Sequence, residues 1–167
     1  FFLTDGQAAT RVLELEPLLQ NALDAAVKAL PAAEKGCLLL ADSAGNLQIH
    51  AMSGYRDRRI LGSSFPPSSG YSARAFRERQ PLIIAEARRD DDIRYEGEIE
   101  EMTQIQSAIV APLMAQDQPI GVIALDNAAR VNAFEASDLR LLTTIAANLS
   151  VAIQNARLFE ETRQRVA

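Results

Sequence analysis

Ser107-Ala108-Ile109-Val110-Ala111-Pro112-Leu113-Met114, the polar letters Ala115-Gln116-Asp117-Gln118, and Pro119-Ile120-Gly121-Val122-Ile123-Ala124-Leu125-Asp126 read as two apolar arms around a turn, a β-hairpin. Neither arm alternates cleanly between apolar and polar residues, so both faces of the resulting sheet should be covered. Phe134 follows, and then one long helix is predicted over 135–165, with Ser137 or Asp138 in its first turn. Leu142, Ile145, Leu149, Ala152, Ala156 and Phe159 recur at spacings of three and four on that helix. Leu139, Ala146 and Ile153 widen its apolar face, and Val151 and Leu158 add a flank.

Towards the N-terminus, Cys37-Leu38-Leu39-Leu40-Ala41, a turn at Asp42-Ser43-Ala44-Gly45-Asn46 and an alternating stretch over 47–53 predict a second hairpin. Residues 56–70 read as loop, punctuated by Gly62, Pro66, Pro67 and Gly70. Ser68 or Ser69 could cap a short helix over 71–79, and Leu82-Ile83-Ile84-Ala85 after Pro81 predicts another buried strand. An N-terminal helix is expected over 8–30 from Val12, Leu15, Leu19, Leu23, Ala26 and Leu30. Pro17 belongs in the first turn of its main part, because an interior proline would cost about 3 kcal/mol. Residues before Pro17 then form an incoming linker helix. The order of elements gives an α+β fold: an antiparallel sheet with the terminal helices on one face and irregular segments on the other. A sheet covered in that way naturally encloses a ligand-sized cavity.

Composition narrows the function. The 167 residues carry 17 basic and 22 acidic side chains, net −5, which argues against a nucleic-acid surface. The lone Cys37 excludes an internal disulfide or a multi-thiolate zinc site, and the lone His50 removes most His-based metal clusters. No Trp is present to form a stacking platform. No apolar run approaches the roughly 20 residues of a membrane span, and the N-terminal Phe1-Phe2-Leu3-Thr4-Asp5 has no charged signal region. The expectation is a cytoplasmic module cut from a longer chain, with residues 1–7 as linker or remnant and 8–165 as a single domain. Within it fall the helix 8–30, the sheet and its connecting segments over 36–126, and a long C-terminal helix over 135–165.

The second hairpin followed by Phe134-x-x-x-Asp138-Leu139 and an Ala/Leu-rich helix resembles the GAF domain family, and a weaker likeness extends to Cys37–Leu40 and the first helix. The resemblance implies a six-stranded antiparallel sheet, helices from both chain ends on one face, and a small-molecule pocket on the other. PAS domains share this plan, but a long terminal helix lying beside an N-terminal one favours GAF. The family implies a sensory or regulatory role beside histidine kinases, cyclases, phosphodiesterases or transcription activators.

Several special chemistries of the family lack their residues. Cyclic-nucleotide binders carry Asn-Lys…Phe-x-x-x-Asp-Glu; here Asn127, Phe134 and Asp138 match, but Ala128 and Leu139 replace the Lys and Glu. Asp138 then reads as a first-turn residue favourable to the helix dipole, and Phe134 as a core plug. Bilin attachment needs a lid thiol, whereas Cys37 begins a core strand. The methionine-sulfoxide-reducing members need two thiols, and one is present. His50 raises the haem question but reads as a strand histidine, out of phase with Leu47, Ile49 and Ala51 and sharing a face with Gln48 and Met52. No phosphate loop, Ser/His/acid set or HExxH motif occurs, so no enzyme is predicted. Asp90-Asp91-Asp92 reads as a solvated run rather than a cation loop, and neither metal nor cofactor is assigned.

By family analogy the pocket is lined by 82–85, 107–114, the helix 71–79 and a lid over 90–106. Its candidate ligand-orienting residues are Tyr71, Ser72, Arg74, Arg94, Tyr95, Thr103 and Ser107. Arg74 and Arg94 stand out because guanidinium forks hold carboxylate or phosphate well. The long helix offers more apolar face than one sheet can hide, which predicts a parallel homodimer through 8–30 and 138–163, with Leu142, Ile145, Leu149, Ala152, Ile153, Ala156 and Phe159 as its interface. The expected function is ligand sensing relayed to a covalently attached kinase, cyclase or transcription activator, as in two-component-type signalling. A ligand-free structural dimerisation module and a haem or redox sensor are the alternatives. Residues 86–101 hold three basic and eight acidic residues, so the net charge of the chain resides in this one segment, read as a mobile acidic lid.

Overall fold

The computed structural model describes residues 15–166. Helix α1 is described over Leu15–Ala29 and includes Pro17 near the N-terminal end of the described stretch. Leu19, Leu23 and Ala26 form its buried stripe, each leucine contributing about 1.5–3 kcal/mol by burial. The expected linker helix before it lies outside the described residues. The first hairpin is β1 (Lys35–Ala41) and β2 (Leu47–Ser53). Its turn is held by Asp42, whose Oδ1 accepts from the backbone N–H of Ala44 and of Asn46, both at 2.9 Å.

The second hairpin is β5 (Ser107–Ala115) and β6 (Gln118–Asn127). Gln116 and Asp117 form its two-residue loop with φ of 53° and 70°, the left-handed pair whose twist matches that of the strands. Gly121 lets β6 approach β1 closely, since a Cβ there would collide with the Leu39 carbonyl oxygen. With β3 (Ser64–Phe65) and β4 (Leu82–Ile84) the sheet has six antiparallel strands in the order β3-β2-β1-β6-β5-β4.

Leu38, Leu40, Ile109, Ala111, Ile123 and Leu125 pack one face of the sheet against α1 and the 31-residue helix α4 (Ala136–Val166). Cys37, Leu39, Val110, Val122 and Ala124 face the other side. Asp138 Oδ2 accepts the N–H of Glu135 at 2.8 Å and fixes the start of α4. Phe134 is buried between sheet and helix. No helix among the described residues is long and apolar enough to cross a membrane.

Three expectations need correction. The stretch 56–70 is more than loop: it holds a 3-10 turn (Arg58–Ile60) and β3, which pairs Phe65 with Leu47 and Ser64 with Gln48. Next, β2 does not keep one phase. Leu38 pairs with Ala51 but Leu39 with Ile49, so His50 is the extra residue of a bulge. Leu47 and Ile49 therefore face one core cluster while Ala51 joins the other. Finally, Leu142, Leu149 and Ile153 are at most 4% exposed, spent on the domain's own core rather than available to a partner. Ile145, Ala152 and Ala156 are half-buried, and Phe159 is exposed. The outward apolar residues of α4 include Leu141, Val151 and Leu158.

Candidate functional site

Opposite the helices lies a cavity of about 650 Å³. Its floor is the centre of the sheet, where Cys37 on β1 pairs with Ala124 on β6, and Leu39, Leu47 and Ile49 extend the apolar surface. Asp126, two residues beyond Ala124 on the same face, is the polar element of that floor and is 2% exposed. Gly54 (φ 82°), where a Cβ would meet the Glu34 carbonyl oxygen, turns the chain after β2 so that Tyr55 reaches across β1. The Tyr55 hydroxyl donates a short hydrogen bond to Asp126 Oδ2. Lys35 Nζ stands 4.8 Å from the centre of the Tyr55 ring. Oδ1 of Asp126 is, among the described residues, the buried side-chain atom without a hydrogen-bond partner.

One wall is α2 (Gly70–Glu78), whose cap residue Ser69 makes no side-chain capping bond. Ser68, Ser69, Gly70, Tyr71, Ser72 and Ala73 all border the cavity. The roof is the segment 87–105. It is not a free flap: Ala87, Ile93 and Ile105 pack with Ile84 and Ala108 in a small core of their own, and Ile99 is buried against the pocket-side cluster. The short helix α3 (Glu100–Thr103) is latched by Glu101, which accepts from Arg56 N at 2.9 Å and Asp57 N at 2.6 Å. Phe65 meets Tyr95 edge-on, with ring centroids 6.4 Å apart.

Burial controls the electrostatics. It pushes the Asp126 carboxyl up to about 6, against the Tyr55 hydrogen bond and the Lys35 charge, which pull it down. Burial also raises the Cys37 thiol and the phenols of Tyr55 and Tyr71, each with a further push from Asp126. Burial thus favours the neutral thiol at Cys37 over the thiolate.

Of the sequence-predicted site residues, Tyr71, Ser72, Arg94 and Tyr95 are brought to the cavity. Arg74 is not among its lining and pairs with Asp90 at 3.4 Å. Thr103 bonds its own helix through Glu100 O at 2.6 Å. Ser107 is a buried structural link, donating to Arg130 O at 2.9 Å and accepting from Ala133 N at 3.3 Å. Arg94 is committed locally to Asp91 (3.1 Å) and Glu96 (2.8 Å), which raise its pKa. Sequence reasoning missed Asp126 and Tyr55 as cavity residues. Asp126 reads as the last letter of an apolar strand, and only its register two residues from Ala124 reveals the face it occupies.

The other candidates resolve structurally. Asn127 donates to Ala32 O at 2.8 Å and accepts from Ala129 N and Arg130 N, holding the turn after β6. His50 meets Glu16 of α1 at 3.0 Å and is not among the residues lining the cavity. Asp90 is occupied by Arg74 and by the N–H of Asp92, and among the described residues no cluster could hold a metal ion.

A family model described as GAF domain matches residues 12–154. The formate hydrogenlyase transcriptional activator FhlA of Escherichia coli is 32% identical over 90 residues, covering 53% of this chain and 13% of that protein. Two solved structures share the fold. The GAF domain of an Acinetobacter phosphoenolpyruvate-protein phosphotransferase has a TM-score of 0.74 at 16% identity, covering 93% of this chain and 96% of that one. The free methionine-R-sulfoxide reductase of Thermoplasma acidophilum has a TM-score of 0.73 at 18% identity, covering 87% and 96%. With the six-stranded order, the helices on one face and the cavity on the other, the chain belongs to the GAF domain family.

Proposed function

We propose that this domain is a non-catalytic sensory or regulatory module of a larger signal-transduction protein, binding a small molecule in the cavity and relaying its presence through the terminal helices. The observation that carries this reading is the cavity itself: about 650 Å³, with a largely apolar floor on which Asp126 is the polar element, a wall from α2 and a latched roof. The fold is also used by a reductase; here the lone thiol is buried and its pKa raised, which supports binding without turnover. The outward residues Leu141, Val151 and Leu158 on α4 support a homodimer built along that helix. The likeness to FhlA supports a transcription activator as the attached output, ahead of a kinase or cyclase.

The test is a thermal-shift screen of the purified chain against nucleotides, amines, amino acids and small carboxylates. A ligand at 100 times its Kd should add about 2.7 kcal/mol. A screen without any shift, together with an unchanged Tm on filling the floor by Ala124→Leu, would instead favour a ligand-free dimerisation module.

A further inference from the structure

We propose that the cavity is built for an organic cation, an amine on an apolar or aromatic body, whose N–H donates to Oδ1 of Asp126. The inference rests on reading the cavity as a ligand site, and names the ligand class.

Three independent observations converge. The first is the unfilled acceptor. Asp126 is 2% exposed and lines the floor; Tyr55 satisfies Oδ2, while Oδ1 has no donor. A buried carboxylate oxygen without a partner is unfavourable, and a ligand donor removes that penalty. The second is the charge of the lining: Asp91, Asp92, Glu96 and Asp126 against Arg88 and Arg94. Arg94 is already paired with Asp91 and Glu96, so it is not free to receive an anion. A phosphate or carboxylate ligand would enter a negative field and meet an acid on the floor; a cation meets attraction at both. The third is the apolar and aromatic lining. Leu39, Ile49 and Ile93 supply apolar surface, and the aromatic side chains of Phe65 and Tyr71 line the same cavity, a surface that favours an ammonium over a neutral head group; the Tyr55 ring already has Lys35 over it.

The experiment uses three probes with one indole body and different heads: tryptamine (ammonium), tryptophol (hydroxyl) and indole-3-propionate (carboxylate). Each is titrated calorimetrically into the full chain at pH 7.5, in a buffer without amines. At this pH Asp126, at about 6, is ionised. The expected order is tryptamine tightest, tryptophol at least tenfold weaker, and indole-3-propionate without binding. Asp126→Asn should weaken tryptamine at least tenfold and change tryptophol less than twofold. Should that variant fail to fold by circular dichroism, Tyr55→Phe serves instead: it leaves both carboxylate oxygens open and should tighten tryptamine several-fold. Indole-3-propionate binding as tightly as tryptamine, or tryptamine binding that Asp126→Asn or Tyr55→Phe leaves unchanged, would overturn the cation proposal while leaving the cavity a ligand site. Absence of binding by all three probes overturns it too. Only if the broader thermal-shift screen is also silent and Ala124→Leu leaves the Tm unchanged does the ligand-site reading fall with it.

Discussion

The hydroxyl of Tyr55 donates to Oδ2 of Asp126, joining residues 71 positions apart in the chain. Everything needed for this bond is local geometry: the Gly54 turn throws Tyr55 over β1, and the antiparallel pairing of Lys35 with Asp126 brings the end of β6 beneath it. The bond satisfies one carboxylate oxygen at the cavity floor and leaves the other without a hydrogen-bond partner. Asp126 is therefore held at some expense to the folded state.

That expense is measurable as a pH dependence. With its carboxyl raised from 3.8 to about 6, the folded protein binds a proton there more tightly than the unfolded chain does. The contribution is fully present below about pH 4 and is lost as pH rises through 6. Asp126→Asn should match the wild-type stability at pH 4 and exceed it by about 3 kcal/mol at most at pH 7.5. Urea denaturation of both proteins at the two pH values checks this, and a variant less stable at pH 7.5 would refute it.

The two faces of α4 should respond oppositely to charge. Leu149→Glu or Ile153→Glu places an unpaired carboxylate in the core between helix and sheet and should cost about 4 kcal/mol or more, unfolding a marginal domain. Val151→Glu with Leu158→Glu, at positions 57% and 58% exposed, should leave the melting temperature within a few degrees. If the proposed dimer uses that face, sedimentation will show the double variant as a folded monomer.

The second hairpin carries an avoidable strain. Gln116 and Asp117 occupy left-handed φ without being glycine or asparagine. The pair Gln116→Asn and Asp117→Gly supplies the residues this turn geometry favours and should stabilise by about 0.5–1 kcal/mol. A shift of the urea midpoint upward with an unchanged slope is the expected signature.

The roof should loosen when its latch is removed. Glu101 holds the backbone N–H groups of Arg56 and Asp57, and Glu101→Ala leaves α3 held by the packing of Met102 and of the flanking Ile99 and Ile105. Amide exchange in 86–104 should accelerate about tenfold, equivalent to roughly 1.4 kcal/mol of local stability, while exchange in β5 and β6 stays unchanged.

Much of the fold is legible in the letters. The apolar arms around Gln116 and Asp117, the Leu38–Leu40 run and the periodicity of α4 are strong local signals, and each forms the expected element. What escapes a one-dimensional reading is register and allegiance. The bulge at His50 reverses the facing of Ala51 with no glycine or proline to announce it. The two-residue β3 is too short for any periodicity. Ile153 and Val151 look alike on a helical wheel drawn without a sheet, yet one is 0% and the other 57% exposed. The site suffers most: Arg94 looks like an anion receptor until its carboxylate neighbours are seen, while Asp126 looks like the frayed end of a strand.

The sheet is one residue thick. Asp126 belongs to the cavity, and its chain neighbour Leu125 is clustered with Leu23 of α1 and with Leu142 and Leu149 of α4. A signal of the proposed kind would have to travel only one Cα-to-Cα step, about 3.8 Å, from the cavity face to the helix face. In the proposed relay strand β6 would be a diaphragm: a ligand that gripped Asp126 on one side would pull on the helix bed from the other.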